Sequence, residues 1–175
     1  MLRSLISDLK RFADEDFPTS NVSNYLQELE IPSGHLKKFR ILDSNLYTRN
    51  LVYRDKSFEL MLICWPPDAE TPIHGHEGEK CWSKVEEGKL RISEYIEKSR
   101  DPLLLEKTEE RDCKPGYLDG PAKIHSVKNI SIDFSTSLHL YAKPYDACDT
   151  YDLKNNKMGR KYLKYYSVNG IISSN

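Results

Sequence analysis

The spacing of hydrophobic residues changes about a quarter of the way along the chain, and this change limits the folds open to it. Before that point, apolar residues recur at three- and four-residue steps from Leu2 to Phe12, which predicts an amphipathic helix running to about Asp14. Two shorter helices are predicted over 24–29 and 35–39, each bounded by Ser, Asn, Pro or Gly. We expect these three helices to cover one side of another element.

From Leu46 onward, short β-rich runs alternate with turn residues, at the spacing typical of an antiparallel barrel or sandwich. The fold class is therefore mainly β, with about three N-terminal α-helices packed on the sheets. We expect a single domain over 1–175, divided into a helical part (1–40) and a β part (41–172). The predicted strands are 46–52, 58–65, 81–85, 89–96, 103–107, 113–118, 123–129, 137–142 and 161–167. The charged stretch 149–160 is predicted to be a solvated loop.

Composition narrows the function classes. A chain of 175 residues with a formal net charge of -1 offers no basic face for a phosphate backbone, so we expect small-molecule ligands and no nucleic acid. It has no apolar run long enough for a membrane span and no signal-peptide core, which predicts a cytoplasmic protein without a membrane partner. The four scattered cysteines are then expected to be free thiols.

The run His74-Gly75-His76 is a candidate metal site. Side chains two residues apart point the same way in extended backbone, so the two imidazoles can hold one ion. His125, in a second apolar run suited to a strand, can supply a third nitrogen. The alternative is that the motif binds no metal, because a lone His-x-His in a polar turn is common without one. His35 lies in a charged helix and is predicted to be a solvated side chain.

Two further strands carry polar residues that need partners if they are buried. Tyr47 and Arg49 share one face of the first predicted strand, and an arginine inside a small barrel needs an anion such as a bound carboxylate. The alternative is an exposed Arg49 paired with a surface acid. In the predicted strand 137–142, Ser137, His139 and Tyr141 share one face. This face points either into the site or outward to solvent.

The order of these motifs resembles the cupin superfamily, a small antiparallel β-barrel with metal at its mouth. His74 and His76, followed by Cys81 and Gly88, resemble its first motif, and the run 125–129 resembles the second. Cysteine stands where cupins usually place glutamate, and the second motif lacks its Pro-x-Gly start.

Four stretches together, 47–52, 74–81, 124–131 and 137–148, resemble cysteine dioxygenase more specifically, and the likeness extends over about 40–172. The resemblance implies a monomeric non-haem iron enzyme that adds both atoms of O2 to L-cysteine to give cysteine sulfinic acid. In that family three histidines hold ferrous iron, and His74, His76 and His125 match them. Fe(II) is therefore the cofactor that the resemblance implies.

The remaining site residues follow from the same resemblance. Arg49 matches the arginine that binds the substrate carboxylate, and Tyr47 matches the tyrosine that assists it. Cys81 and Tyr141 match a pair that many animal members join as a thioether, and His139 matches the histidine that hydrogen-bonds that tyrosine. Cys148 matches a cysteine near the mouth of the site, and its role stays open. A Cys81 that ligates iron would cancel the charge of a three-histidine site, and an inert buried thiol is the other alternative.

Three neutral ligands leave the metal its full positive charge, which favours a substrate thiolate as the anionic partner. Cysteine would then bind through sulfur and amine while Arg49 holds its carboxylate. The open alternatives are a dioxygenase of another small thiol carboxylate such as 3-mercaptopropionate, a zinc enzyme that activates water, and a cupin that only binds a ligand. Relatives that prefer 3-mercaptopropionate usually carry another residue at the position of Arg49, which favours L-cysteine.

Overall fold

Three helices precede two facing β-sheets in the computed structural model, which describes residues 1–173. The helices are α1 (Leu2–Asp14), α2 (Thr19–Glu28) and α3 (Ser33–Leu36), and a 3-10 turn (Lys37–Phe39) follows α3. All three predicted helices are therefore present, with α2 beginning five residues earlier than its predicted start. None of the helices in the described range is long and apolar enough to cross a membrane.

The first sheet has seven strands among the described residues, in the order β13-β12-β1-β2-β9-β4-β7. Its strands are β1 (Thr48–Arg54), β2 (Glu59–Trp65), β4 (Lys80–Glu87), β7 (Leu118–Asp119), β9 (Ser135–Ala142), β12 (Ser167–Val168) and β13 (Ile171–Ile172). Neighbouring strands are antiparallel except β1 and β12, which run parallel.

The second sheet has six strands within residues 1–173, in the order β11-β10-β3-β8-β5-β6, all antiparallel. Its strands are β3 (Ile73–His74), β5 (Leu90–Arg100), β6 (Leu103–Cys113), β8 (Ile124–Asn129), β10 (Ala147–Asp152) and β11 (Lys157–Tyr162). The predicted mainly β fold with N-terminal helices is confirmed, as a sandwich of two separate sheets rather than a closed barrel.

Side-chain alternation on β9 shows how the layers form. Leu138 and Leu140 point to the outer face of the first sheet, where they pack in the cluster that contains helix residues Leu5 and Leu9. Tyr141 points the opposite way and belongs to the cluster between the two sheets. Every residue of β9 is buried, because helices cover one face of the strand and the second sheet covers the other.

Lys84 fastens α2 to the first sheet. Its ammonium lies on the helix-facing side of β4 and donates to the carbonyls of Leu26 at 3.0 Å, Gln27 at 3.2 Å and Leu29. The last carbonyls of a helix lack partners within the helix, so this buried lysine satisfies groups that would otherwise lose their hydrogen bonds.

Three local predictions are wrong. The stretch 149–160 is not a loop, because most of it belongs to the hairpin of β10 and β11, and β10 also pairs with β3. The charged side chains of β11 remain exposed at the sheet edge, which is why the sequence there looks like solvated loop. The predicted strand 113–118 is mostly a turn between β6 and β7, and the predicted strand 161–167 is replaced by the end of β11, an irregular segment and the start of β12.

Candidate metal centre

Three histidines converge at one end of the second sheet. His74 of β3 lies directly opposite His125 of β8 in the strand pairing, and His76 follows two residues after His74. The ring centroids are 4.8 Å apart for the two pairs that include His125 and 5.2 Å apart for His74 and His76. One nitrogen from each ring can be chosen so that all three lie within 4.8 Å of one another, close enough to share an ion. The structure thus brings together the three histidines that the sequence analysis named as candidate metal ligands.

Backbone carbonyls fix the orientation of two of these rings. His74 Nδ1 lies 3.0 Å from the carbonyl oxygen of Pro72, and His76 Nδ1 lies 2.9 Å from that of Lys123. A carbonyl only accepts hydrogen bonds, so the proton of each neutral ring sits on Nδ1 and the Nε2 lone pair is free. His76 Nε2 is buried and has no hydrogen-bond partner in the described part of the chain. A metal ion would supply that partner.

A carboxylate lies behind the third histidine. Asp119 Oδ2 of β7 is 3.7 Å from His125 Nδ1, and neither atom has a hydrogen-bond partner among residues 1–173. Both side chains are buried. Metal-binding histidines commonly donate their second ring nitrogen to a carboxylate, which orients the ring. Asp119 is placed for this contact, which the sequence analysis did not identify because β7 is only two residues long.

Burial keeps the imidazoles of His74 and His76 neutral. It lowers the pKa of His74 to about 3, with the neighbouring His125 adding to the effect, and it lowers the pKa of His76 well below the usual value. Only a neutral imidazole can offer a lone pair to a metal. The cluster is therefore ready to bind a cation at neutral pH, and its donor set fits a transition metal.

The first sheet forms the wall opposite the histidines. Arg49 of β1 is 8% exposed, so the alternative of an outward arginine is wrong. The acid paired with it is internal: Arg49 Nη2 lies 3.5 Å from Glu59 Oε1, and the Glu59 side chain is completely buried. Tyr165 donates a hydrogen bond to the other carboxylate oxygen, and Arg54 Nη1 lies 3.5 Å from it. Burial raises the pKa of Glu59, and Tyr165 and the two arginines act against that rise.

A small cavity of about 40 Å³ extends from this wall to His74, the first of the three histidines. Tyr47 lies in it beside Arg49, with its ring centroid 5.1 Å from that of Trp65. Lys161 of β11 also lines the cavity, and its Nζ donates to the Tyr47 hydroxyl at 3.0 Å. The remaining lining residues are Ile63, Thr71, Pro72, His74, Tyr141, Tyr145, Cys148 and Leu163.

A chain of hydrogen bonds runs behind the cavity. Trp65 Nε1 donates to Ser137 Oγ at 2.9 Å, and Ser137 Oγ lies 2.8 Å from His139 Nε2. His139 Nδ1 lies 3.3 Å from the Tyr141 hydroxyl, and the two rings are stacked. Ser137, His139 and Tyr141 are all buried, so the alternative of a solvent-facing polar strand is wrong.

Cys81 and Tyr141 are direct cross-strand neighbours, since Cys81 of β4 pairs with Tyr141 of β9. Residues opposite each other in antiparallel strands have their Cβ atoms about 5 Å apart on the same face. Both side chains are buried, and burial raises the pKa of each well above its ordinary value. Cys81 lies on the sheet opposite the histidines and is not part of the group that can share an ion.

Most of the chain matches the model of one protein family. The model of the family described as cysteine dioxygenase type I matches residues 3–154. The chain belongs to this family. The cysteine dioxygenase resemblance drawn from the sequence motifs is thereby confirmed, as is the cupin superfamily to which that family belongs.

Curated members of the cysteine dioxygenase family are similar over nearly the whole chain. Cysteine dioxygenase type 1 of Bos taurus is 28% identical over 165 residues, which are 91% of this chain and 82% of the relative. The Homo sapiens protein is 27% identical, covering 94% and 84%, and the Danio rerio protein is 26% identical, covering 97% and 88%.

Solved structures share the fold of this cysteine dioxygenase family member at lower identity. TT1209 of Thermus thermophilus superposes with a TM-score of 0.52 and 22% identity, covering 66% of this chain and all of the other. BH2720 of Bacillus halodurans superposes with a TM-score of 0.51 and 16% identity, covering 66% and 82%. At these identities the likeness shows the fold alone.

Sequence reasoning missed three charged residues of the site. Glu59 carries a usable signal, since it is a lone acid in the otherwise apolar run 58–65. Asp119 and Lys161 carry none, because they lie in polar segments where charged residues are ordinary. His35 is exposed, as predicted.

Proposed function

We propose that this chain is an iron-dependent dioxygenase that adds both atoms of O2 to the sulfur of L-cysteine, giving cysteine sulfinic acid. The observation that carries the proposal is the group of three converging imidazoles, one of which, His74, faces the buried guanidinium of Arg49 across a small cavity. A small thiol acid would fit between them, with its thiol bound to the metal and its carboxylate held by the guanidinium on the opposite wall.

His74, His76 and His125 would hold ferrous iron. Iron bound there would supply the redox chemistry that activates dioxygen, and its charge, uncancelled by neutral ligands, would favour the thiolate form of the substrate sulfur. The histidines contribute fixed rings, because two of them are held by backbone carbonyls and the third is backed by Asp119.

Arg49 would bind the substrate carboxylate with its planar guanidinium. It is held from behind by Glu59 and by the ring of Tyr165, whose centroid lies 5.5 Å from the guanidinium carbon. A guanidinium restrained in this way loses less conformational freedom when the substrate binds. Tyr47, next to Arg49 in the cavity, would add a hydroxyl for the same carboxylate.

Tyr141 would hold a proton facing the reacting atoms. The indole N–H of Trp65 only donates, so Ser137 accepts it and can give its own proton to His139 Nε2. His139 then donates from Nδ1 to the Tyr141 oxygen, which leaves the phenol proton free to point into the cavity. Burial raises the pKa of Tyr141, so the phenol keeps this proton at neutral pH.

The register of Cys81 and Tyr141 supports a thioether between the cysteine sulfur and the tyrosine ring. Formation of this bond removes one hydrogen from the Cys81 thiol and one from the Tyr141 ring, and dioxygen, the oxidant of the proposed reaction, would take up both hydrogens with their electrons. The mass of the protein should therefore be about two units below that calculated from its sequence. The Cys81→Ser variant should show its full calculated mass. An unchanged wild-type mass in active, folded protein would remove the crosslink from the mechanism.

Product analysis with labelled oxygen tests the reaction. Protein loaded with ferrous iron and L-cysteine under argon is exposed to ¹⁸O2, and the product is examined by mass spectrometry. Cysteine sulfinate with two labelled oxygens supports the proposal, whereas cystine alone would mean simple thiol oxidation. The variant His76→Ala should lose the activity, and His35→Ala, which changes an exposed histidine far from the site motifs, should keep it.

Two further measurements separate the alternatives. Oxygen uptake with L-cysteine is compared with uptake on 3-mercaptopropionate, which lacks the amine; equal or better use of the latter would defeat the cysteine assignment. Metal analysis combined with oxygen uptake distinguishes iron from zinc, because zinc has no redox chemistry.

A further inference from the structure

Lys161 is a cation that lines the cavity, and the proposed function gives it no role. Its ammonium donates to the Tyr47 hydroxyl at 3.0 Å and lies 5.4 Å from the centre of that ring. In the part of the chain that the structure describes, no carboxylate oxygen lies within 4.0 Å of it. Arg160, the residue before Lys161 in β11, is paired with both Glu77 and Asp149.

Arg49 is the other cation that lines the cavity, and it already has a counter-ion. Arg49 is paired with the buried Glu59, and Arg54 makes a two-point contact with Asp146 at 2.7 and 3.1 Å. Within the cavity lining, Lys161 is therefore left as a positive charge without a carboxylate partner among residues 1–173. A bound carboxylate would balance that charge.

We propose that Lys161 is a second cationic contact for the substrate carboxylate, working with Arg49 and setting a preference for small thiols with one carboxylate. This inference rests on the proposed function, since it takes the anion in the cavity to be the carboxylate of the thiol substrate. Arg49, restrained by Glu59, fixes the direction of the carboxylate. Lys161, exposed and flexible, supplies the net charge that attracts it.

Anaerobic binding of L-cysteine to the iron-loaded protein tests the proposal by calorimetry. Lys161→Met removes the charge and keeps the apolar stem, so we expect the Kd to rise about fivefold, as for loss of a solvent-exposed ion pair. Lys161→Arg should stay within twofold of wild type. Lys157→Met, at the other exposed end of β11, is the matched control and should also stay within twofold.

Cysteamine, which has the thiol and the amine but no carboxylate, identifies the group that Lys161 contacts. Its Kd should be the same or lower in Lys161→Met, because no carboxylate is present to lose a partner. Equal weakening for L-cysteine and cysteamine overturns the proposal, as does an L-cysteine Kd within twofold of wild type in Lys161→Met.

Oxygen uptake separates this inference from the proposed function. If wild type binds L-cysteine but consumes no oxygen with it, the dioxygenase proposal fails while the binding comparison still tests Lys161. If wild type does not bind L-cysteine, both proposals are refuted.

Discussion

Glu59→Gln tests whether the buried carboxylate stabilises the fold through Arg49. The substitution keeps the shape and a hydrogen-bond acceptor for Tyr165 but removes the negative charge. Arg49, only 8% exposed, would then be a buried cation without a counter-ion, and arginine cannot lose its proton to escape this cost.

The magnitude follows from the geometry. Two unit charges 3.5 Å apart, the separation of Arg49 Nη2 and Glu59 Oε1, attract by about 5 kcal/mol at an effective dielectric constant of about 20. Part of this is offset, because burial raises the pKa of Glu59 and the glutamine avoids that desolvation. We expect the free energy of unfolding to fall by about 3 kcal/mol, the lower end for breaking a buried ion pair.

Urea denaturation of the metal-free protein at pH 7 measures this change, followed by the fluorescence of Trp65 and Trp82, which are both buried. Glu86→Gln is the matched control. Glu86 Oε1 is buried without a hydrogen-bond partner among residues 1–173, and burial raises the pKa of Glu86, so its substitution should leave stability unchanged or raise it. A loss below about 1 kcal/mol in Glu59→Gln, or an equal loss in Glu86→Gln, would refute the reasoning.

Three further changes test other contacts. Asp119→Asn should weaken ferrous iron binding about tenfold or more by loosening the orientation of His125, as measured by anaerobic metal titration; an unchanged affinity would contradict that role. Lys84→Met should lower the free energy of unfolding by about 2 kcal/mol in urea, since it leaves helix carbonyls without donors. Burial lowers the pKa of His139 to about 3, so the unfolded chain binds its proton first as the pH falls below about 6.5. Stability of the metal-free protein should therefore decrease toward pH 3, with about 1.4 kcal/mol per pH unit due to His139, and His139→Gln should remove that part of the slope in urea titrations between pH 4 and 7.

The histidine site was predictable because its geometry follows from local rules. The alternation of side chains in extended backbone places His74 and His76 together, and the motif order supplies His125 as the third partner. The same alternation on β9 predicted that His139 and Tyr141 share a face. It could not decide which face is buried, since that depends on which elements pack on each side.

The counter-charges were not predictable, because each depends on strand pairing across the fold. Arg49 and Glu59 lie on adjacent strands, but the sequence alone allowed Arg49 to be exposed. Lys161 reaches the cavity only because β11 pairs with β10, which in turn pairs with the short strand that carries His74. A segment with exposed charges gives no local sign of such a position.

The division of the site between two sheets has a consequence for substrate choice. His74 and His125 belong to one sheet and Arg49 to the other, so the gap between a metal held by the histidines and the guanidinium would be set by interior side chains such as Ile92 and Val127. Under the proposed function, the hydrophobic side chains between the sheets would therefore set the length of thiol acid that fits between the metal and Arg49. Enlarging or shrinking those side chains should retune chain-length selectivity without altering any group that touches the substrate.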